Sequence, residues 1–359
     1  MGKVSSGGVE SVVFSYYRTL DKTKYQYDIV YENSSDREIP SDILASGARA
    51  FCIPSMSSPV SYISSLCKII KNGNYRIIHC HNSTLSLFPL IAAKLCRVPV
   101  RIVHNHSTSA KAEKKRNAAK SVLKRITPLF ANKYIACSEL AARWMYGDKR
   151  TENGLVSVIP NGIKVDKFLY NENYSREIRE EFNLANSTVI GHIGRFVSAK
   201  NHRFIIDIFN EYRKTDDGSV LLLLGDGPDC ENIREYVQDV GLSQSVIFVG
   251  VRDDAYKFYS TFDVFLLPSL YEGLPVVSVE ASASGVVQLI SDTVTRECRL
   301  NENVHFLPID APSVWASAIM KYKDCDRQAS GEEMKNSDFN IENGVKKLMK
   351  FYDRCLEEL

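Results

Sequence analysis

Short apolar segments alternate with helical segments along this chain, and that alternation limits the possible folds more than any other feature. In the first half, apolar runs of strand length predict β-strands at 27–31, 50–53, 75–80, 100–103, 133–137 and 156–159. Amphipathic patterns predict helices at 9–20, 60–71, 85–95, 119–130 and 139–145. Alternating strands and helices form a parallel sheet covered on both faces, so the fold class is α/β. Ligands of such sheets bind at the carboxyl ends of the strands.

The second half repeats the alternation. Predicted strands lie at 189–193, 220–224, 246–250, 264–267, 288–291 and 304–307, and predicted helices at 173–186, 312–322 and 340–359. A chain of 359 residues is long enough for two domains. We therefore expect two doubly wound domains.

Composition is ordinary for a globular protein, but the charges are unevenly distributed. Residues 1–162 carry a balance of +12 and residues 163–359 a balance of −10. Either this is chance variation on solvated faces, or the first half approaches an anionic surface. No apolar run has the length of a membrane span and no signal peptide is visible, and the nine scattered cysteines form no C-x-x-C pair. These features predict a reduced cytoplasmic protein without a structural metal site.

The stretch 111–125 carries much of the positive charge. Its basic residues are Lys111, Lys114, Lys115, Arg116, Lys120, Lys124 and Arg125. Apolar residues at Val122, Leu123, Ile126 and Leu129 complete the pattern of a basic amphipathic helix, which can rest on anionic lipid headgroups. A solvated helix face is an equally good interpretation. Nucleic acid ranks lower, because few aromatic residues accompany these charges.

Two strand-to-helix turns in the second half are suited to phosphate. After the apolar run 264–267, Gly273 supplies a flexible turn and Pro275 suits the first position of the helix that follows. Free N–H groups at such a helix start attract phosphate, and two carboxylates, Glu272 and Glu280, could bind hydroxyl-bearing rings. Earlier, Gly194 ends a strand and is followed by two cations, Arg195 and Lys200. Together these turns predict a nucleotide-sugar site.

Histidine pairs lie at the ends of two first-half strands. The segment containing His79 and His81 follows the third strand, and the segment containing His104 and His106 follows the fourth. Residues i and i+2 of a strand share one face, so each pair could bind a metal. No third ligand lies at metal spacing, so we expect no zinc. For His79 and His81, a structural role is as probable as a functional one.

These motifs, in this order, resemble the retaining glycosyltransferases of family 4, which have the GT-B architecture. The spacing from Glu272 to Glu280 is similar to the family's E-x7-E motif, and the 191–201 segment, the Gly7-Gly8 pair and the I-P-N-G-I turn at 159–163 are similar to others. The resemblance covers nearly the whole chain. It implies two Rossmann-like domains facing across a cleft: an acceptor-binding domain at 1–162, a nucleotide-sugar-binding domain at 163–339, and a helix at 340–359 that packs back on the first domain.

The resemblance also implies roles for individual residues. Arg195 and Lys200 would hold the donor diphosphate, Glu272 the transferred sugar, Glu280 the ribose, and His106, with His104 beside it, the sugar near its C6 side. The remaining expected donor-binding residues are Gly7, Gly8, Gly194, Gly225, Gly227, Val251, Gly273, Leu274, Pro275 and Val276. Family members usually open with an apolar strand before the Gly-Gly turn, and this chain has none there, so we expect a gap in the first sheet.

The implied activity is transfer of a sugar, with retention of configuration, from a UDP-linked hexose or N-acetylhexosamine to a hydroxyl of a lipid-linked glycan. The segments at 7–10, 103–107 and 291–297 are similar to those of bacterial capsule and exopolysaccharide enzymes. No Asp-x-Asp motif is found where a metal-dependent transferase would need one, so we expect no metal cofactor. The implied location is the inner face of the cell membrane, as a peripheral protein. The alternatives are a nucleotide-sugar 2-epimerase of the same fold and a non-catalytic nucleotide-sugar-binding subunit.

Overall fold

The computed structural model describes residues 1–4, 8–108, 121–327 and 331–359. The chain forms two compact units. The first contains Met1–Gly162 together with Ile341–Leu359, and the second contains Ile163–Asn340. The chain therefore leaves the first unit at Gly162 and returns to it at Ile341.

In its described residues, the first unit has six strands in two parallel sheets. The strands are β1 (Asp28–Glu32), β2 (Arg49–Ile53), β3 (Ile77–Cys80), β4 (Val100–Asn105), β5 (Lys133–Ala136) and β6 (Val156–Val158). Strands β1 and β2 pair with each other, while β3, β4, β5 and β6 pair in that order. The central strand β4 is the most deeply buried of the six, as expected for a parallel sheet with helices on both faces.

The two sheets are separated by a gap between β1 and β3. A cavity of about 180 Å³ lies there, lined by Ile29 and Val30 of β1 and by Ile77 and Ile78 of β3. The amino group of Met1 enters the same region and donates to the Val30 carbonyl at 2.8 Å. Among the described residues, no strand hydrogen bonds join β1 to β3, so the two sheets are separate.

Helices cover both faces of these strands. Their bounds are Gly8–Thr19, Ser41–Ala45, Pro59–Gly73, Leu87–Leu95, Glu139–Tyr146, Asp148–Glu152 and Ile341–Glu357, with a further helical stretch at 121–126. The sequence marks several of these ends. Pro59 occupies the first turn of its helix, and the Ser138 hydroxyl accepts from the Ala141 N–H at 3.1 Å as an N-cap.

The second unit contains a single six-stranded parallel sheet. Its strands are β7 (Val189–Ile193), β8 (Val220–Leu224), β9 (Val246–Gly250), β10 (Val264–Leu267), β11 (Val287–Ser291) and β12 (Val304–Leu307), in the order β12-β11-β10-β7-β8-β9. The strand order reverses between β7 and β10. In doubly wound sheets the ligand crevice lies at that point, outside the carboxyl ends of the strands.

The core of the second unit lies on both faces of this sheet. The covering helices are Val165–Phe168, Glu172–Glu181, His202–Arg213, Cys230–Asp239, Ala255–Phe258, Val276–Ser284, Pro312–Tyr322 and Gly331–Asn336. Helix His202–Arg213 buries Ile205 and Phe209 against the sheet, and Trp315 of Pro312–Tyr322 joins the same cluster. Strand β10 is buried along its whole length, which matches its uninterrupted apolar sequence.

Most differences from the sequence-based elements are at helix ends. Within the described residues, the helix predicted at 119–130 is helical at 121–126 and then continues as a 3₁₀ turn at Thr127–Leu129, because Pro128 cannot continue an α-helix. The helix predicted at 85–95 starts at Leu87 after a 3₁₀ turn, Ser83–Ser86. Several short helices, such as Ser41–Ala45, were not predicted because five residues show no clear period. In the part of the chain that the structure describes, no helix is both long and apolar enough to cross a bilayer.

Candidate functional site

The carboxyl ends of β7 and β8 are joined backbone to backbone through glycines. Gly225 has a φ of +127°, and a Cβ there would meet the Gly194 carbonyl oxygen at 2.1 Å. A Cβ on Gly227 would meet the Phe196 carbonyl oxygen at 2.3 Å. Only glycine fits such approaches. The sequence assigned these glycines to the donor; the structure shows that they also bring two loops of the same unit together.

Lys200 and Glu272 meet at this edge of the sheet. Lys200 follows β7, Glu272 follows β10, and the Lys200 ammonium donates to the Glu272 carboxylate at 2.5 Å. Both side chains are largely buried, 16% and 18% exposed. The Ser269 hydroxyl donates to the same carboxylate oxygen at 3.0 Å, and the Leu270 N–H donates to the Ala199 carbonyl. The two predicted phosphate turns therefore form one site at the point where the strand order reverses.

Arg195 lies in the segment between the end of β7 and Lys200, and it is exposed. Within the described residues its guanidinium makes no hydrogen bond or ion pair. A planar guanidinium can grip a phosphate through two parallel hydrogen bonds. Arg195 is thus available to an anion, whereas the Lys200 charge is shared with Glu272.

The helix Val276–Ser284 starts at the same edge. Pro275 occupies the N-cap, one residue before the position predicted for it, and no side chain caps the helix. Glu280 lies one turn further on and accepts a hydrogen bond from the Tyr259 hydroxyl at 2.6 Å. Desolvation raises the pKa of Glu280, while this bond opposes the rise. The partner Tyr259 was not predicted, because it lies in a distant segment with no motif of its own.

The other predicted donor residues in this unit are distributed around the same edge. Gly273, Leu274 and Pro275 are buried in the turn before the helix. Val251 follows the end of β9 and is 47% exposed. Its exposure directly after Gly250, which has a φ of +79°, places it on the surface at the carboxyl end of the sheet.

In the first unit, four histidines from β3 and β4 stack together. The His79 and His81 ring centroids are 4.1 Å apart, and those of His104 and His106 are 4.0 Å apart. Hydrogen bonds join the two pairs, at 3.1 Å between His79 and His104 and 3.0 Å between His81 and His106. All four candidates thus belong to one cluster, which we call the histidine stack.

Burial keeps the histidine stack neutral. Desolvation lowers the pKa of His79 to about 3 and that of His106 to about 4. The same cause lowers the pKa values of His81 and His104 well below their usual value. His106 and His104 are only 6% and 3% exposed. Neutral imidazoles at this position can orient a hydroxyl but carry no charge for a phosphate.

Two residues outside the histidine motifs hold the histidine stack in place. The Asn161 carboxamide oxygen lies 3.0 Å from His106 Nδ1, so that nitrogen carries the proton. At the other end, the Tyr352 hydroxyl lies 2.6 Å from His79 Nδ1. Asn161 lies in the I-P-N-G-I turn, a motif that could have marked it as a candidate residue. Tyr352 carries no such signal, because only the return of the last helix brings it there.

The tertiary structure brings a third possible metal ligand to one histidine pair, which the spacing in the sequence did not indicate. Possible ligand atoms of His79, His81 and His104 all lie within 4.8 Å of one another. However, His79 Nε2 and His104 Nδ1 already share a hydrogen bond, and both rings stack on neighbours. A metal would have to replace these contacts, so the arrangement fits neutral hydrogen-bonded rings better.

The Gly-Gly pair is only partly within the described residues. Gly7 lies outside them, as do the basic residues 111–120. Gly8 is the first residue of helix Gly8–Thr19 and is exposed, and a Cβ there would meet nothing within 4 Å. Among the residues that the structure describes, therefore, no close contact requires glycine at position 8.

Comparison with protein families supports this picture of the chain. The family described as "Glycosyltransferase Family 4" matches residues 6–167, and that described as "Glycosyl transferases group 1" matches residues 187–323. The two matches fall on different halves of the chain. Each covers the residues that form one candidate cluster.

Curated relatives extend over most of the chain. It is 35% identical to "Putative glycosyltransferase EpsF" of Bacillus subtilis over 326 residues, which is 89% of this chain and 85% of that protein. It is 28% identical over 309 residues to the Escherichia coli enzyme "UDP-Gal:alpha-D-GlcNAc-diphosphoundecaprenol alpha-1,3-galactosyltransferase", covering 81% of this chain and 78% of that one. A Staphylococcus aureus capsular polysaccharide biosynthesis glycosyltransferase, CapH, is 22% identical, with 94% of each chain covered.

Solved structures share the fold. Anabaena Alr3699/HepE in complex with UDP-glucose superimposes with a TM-score of 0.81 at 16% identity, covering 98% of both chains. Sucrose-phosphate synthase from Thermosynechococcus elongatus also gives a TM-score of 0.81, at 20% identity, over 100% of this chain and 96% of that one. The predicted α/β fold with two Rossmann-like domains is confirmed. The chain belongs to glycosyltransferase family 4, as a GT-B glycosyltransferase of the exopolysaccharide and capsule type.

Proposed function

We propose that this glycosyltransferase transfers a sugar from a UDP-sugar to a hydroxyl of a lipid-linked glycan, with retention of configuration and without a metal ion. The observation that carries the proposal is the Lys200–Glu272 pair beside an uncapped helix start at the reversal point of the second sheet. It combines a cation and free N–H groups for a diphosphate with a carboxylate for sugar hydroxyls.

Each charged group has a separate role in this proposal. Arg195 and Lys200 stabilise the negative charge that develops on the leaving diphosphate. Glu272 accepts hydrogen bonds from the transferred sugar, and Glu280 accepts them from the ribose. His106, held by Asn161, orients the sugar as a neutral group. Unit Ile163–Asn340 would bind the donor, and the unit containing Met1–Gly162 would bind the acceptor.

The choice of substrates rests on similar proteins. HepE, which shares the fold, is crystallised with UDP-glucose. The E. coli relative is named for a UDP-galactose donor and a diphosphoundecaprenol-linked acceptor. A Campylobacter jejuni relative, 26% identical over 63% of this chain, is also named for a diphospho-undecaprenol acceptor. An acceptor of this kind would keep the enzyme at the inner face of the cell membrane.

The test is calorimetric binding of UDP-, GDP- and ADP-sugars in the presence of EDTA. We expect the wild type to bind one UDP-sugar and Lys200→Ala to lose at least about 100-fold in affinity, because a buried charge contact to phosphate is removed. Lys257→Ala is the matched control, since Lys257 forms a comparable 2.6 Å ion pair with Glu177 on other helices of the same unit.

Several results would contradict the proposal. If binding of the UDP-sugar requires a divalent ion, the metal-free mechanism is wrong. If Lys200→Ala and Lys257→Ala lose the same affinity for the UDP-sugar, the proposed donor site is wrong. Donor binding without sugar transfer to any lipid-linked acceptor would favour the non-catalytic subunit instead. The anomeric configuration of the product, read by NMR, tests retention.

A further inference from the structure

A stripe of apolar side chains faces solvent on the first unit. Val122, Ile126 and Leu129 follow one another at intervals of four and three residues, the spacing that puts side chains on one helical face. They are 56%, 36% and 64% exposed. Helix faces of globular proteins normally turn such a stripe toward the core, so its exposure calls for an explanation.

Neighbouring elements extend this apolar surface. The Thr127 hydroxyl donates to the Thr84 carbonyl at 2.8 Å, which joins the stripe to the turn that carries Leu85. Helix Leu87–Leu95 also packs against the Thr127–Leu129 turn. Leu85 and Leu95 are 46% and 68% exposed. We call the surface formed by Leu85, Leu95, Val122, Ile126 and Leu129 the apolar face.

Basic residues stand next to members of the apolar face in the sequence, Lys94 beside Leu95 and Arg125 beside Ile126. Lys94, Arg97 and Arg125 are exposed, and within the described residues none of them forms an ion pair. Between residues 82 and 138 the sequence contains eleven lysines and arginines and a single acidic residue, Glu113. Exposed apolar residues edged by unpaired positive charge are complementary to the interface of an anionic bilayer.

We propose that the apolar face docks the enzyme onto an anionic lipid bilayer, with Val122, Ile126 and Leu129 entering the headgroup boundary and Lys94, Arg97 and Arg125 contacting lipid phosphates. This inference rests on the proposed function, because a lipid-linked acceptor must be reached at a bilayer surface. Beyond the proposed function, the inference specifies which surface of the enzyme contacts the bilayer. Nucleic acid could contact the basic residues through its phosphates but has no apolar region to cover the apolar stripe, so a bilayer fits this surface better.

The test is sedimentation of the full chain with vesicles of phosphatidylcholine alone or with 30% phosphatidylglycerol. We expect the wild type to bind the anionic vesicles and to be released by salt. Val122→Gln/Leu129→Gln should weaken binding at least about tenfold, because two apolar contacts are removed. Lys94→Gln/Arg97→Gln/Arg125→Gln should weaken it about 100-fold, at roughly fivefold for each charge.

The chain offers a matched control for the apolar variant. Val60→Gln/Leu155→Gln makes the same two chemical changes at residues of the same unit that are 83% and 57% exposed. It should bind vesicles like the wild type. Equal weakening in both double variants would overturn the proposal, as would equal wild-type binding to neutral and anionic vesicles.

Two further measurements separate this inference from the proposed function. UDP-sugar binding, measured without vesicles, should be unchanged in the apolar double variant and in the basic triple variant, because neither changes a residue that we assign to the donor. Failure of donor binding in the wild type would count against the proposed function alone. Sedimentation velocity tests the competing occupant: a wild-type dimer that Val122→Gln/Leu129→Gln dissociates, without vesicle binding, would assign the apolar face to a second copy and overturn the proposal.

Discussion

Lys200 and Glu272 show how much of the candidate site depends on single side chains. They are 72 residues apart in sequence and 2.5 Å apart in the structure. Arg195, in the same segment after β7, is exposed. In the proposed donor site, a diphosphate would meet one cation without an ion pair among the described residues and one that is already shared with a carboxylate. The pairing orients Lys200 in advance, which lowers the cost of binding.

Gly225 is the residue at which a single methyl group should have the largest effect. Gly225→Ala would place a Cβ 2.1 Å from the Gly194 carbonyl oxygen at a φ of +127°. We expect a loss of about 3 kcal/mol or more in the free energy of unfolding, because the backbone of the donor site must move. Urea unfolding at pH 7.5 measures this.

Gly241→Ala is the control for that substitution. Gly241 also has a positive φ, +75°, but a Cβ there would meet nothing within 4 Å. Gly241→Ala should lower the free energy of unfolding only by the backbone strain, about 1 kcal/mol. If both variants lose the same free energy of unfolding, the close approach of the two loops has no energetic consequence.

At the scale of the elements, the pairing of β3 with β4 forms the histidine stack, which neither strand could form alone. Each strand carries one histidine and is followed directly by a second, and the parallel pairing of the strands brings all four rings into contact. The hydrogen bonds run from Asn161 through His106 to His81. Protonating any ring would place a charge in a desolvated cluster beside other imidazoles.

The histidine stack should make the stability of the protein depend on pH. Burial holds the pKa of His106 at about 4 and that of His79 at about 3, whereas unfolded histidines titrate near 6.5. As the pH falls below about 6.5, the unfolded state gains protons that the native state does not. Stability should therefore be full above this pH and fall by about 1.4 kcal/mol per pH unit for each such histidine, until the folded pKa is reached.

Urea unfolding between pH 7.5 and 5 measures this dependence. His106→Asn should show a slope shallower by about one proton than the wild type. The comparison is of slopes, so a general destabilisation of the variant does not interfere. An unchanged slope would mean that His106 titrates normally in the folded protein.

At the scale of the whole molecule, the last helix belongs to the first unit. Helix Ile341–Glu357 buries Leu348, Phe351 and Tyr352 there. The Tyr352 hydroxyl contacts both His79 and Tyr27, and Asp353 accepts from the Tyr25 hydroxyl at 2.5 Å. The first unit therefore needs both ends of the sequence, whereas the second is continuous.

Deleting residues 341–359 should consequently damage the two units unequally. We expect the first unit to lose its cooperative melting transition, because several buried apolar side chains are removed at once, and the second to keep its own. Differential scanning calorimetry with hydrogen exchange assigns each transition. Tyr352→Phe is the mild control: it keeps the ring and should cost only about 1–2 kcal/mol for the lost hydrogen bonds. Loss of both transitions in the deletion would contradict the division.

The sequence predicted most strands and the two phosphate turns, because burial in a parallel sheet leaves continuous apolar runs and the turns need glycine and proline at set positions. It was less successful where an element is too short to show a period, as at Ser41–Ala45, or where a proline changes the type of helix, as at Pro128. It predicted roles for Lys200, Glu272 and His106, which stay predictions, and it gave no sign of Tyr259 or Tyr352, which contact Glu280 and His79.

What the sequence alone determined was the α/β class, the order of the strands along the chain and the family motifs, since all of these depend on neighbouring residues. What only the tertiary structure decided was which of those residues meet. The Lys200–Glu272 pair depends on β10 lying beside β7, and the histidine stack on the pairing of β3 with β4. The exposure of Val122, Ile126 and Leu129 depends likewise on what packs around them. The periodicity of a sequence shows that one face of a helix is apolar. Only the packing of distant segments decides whether that face is buried or stays exposed to a partner.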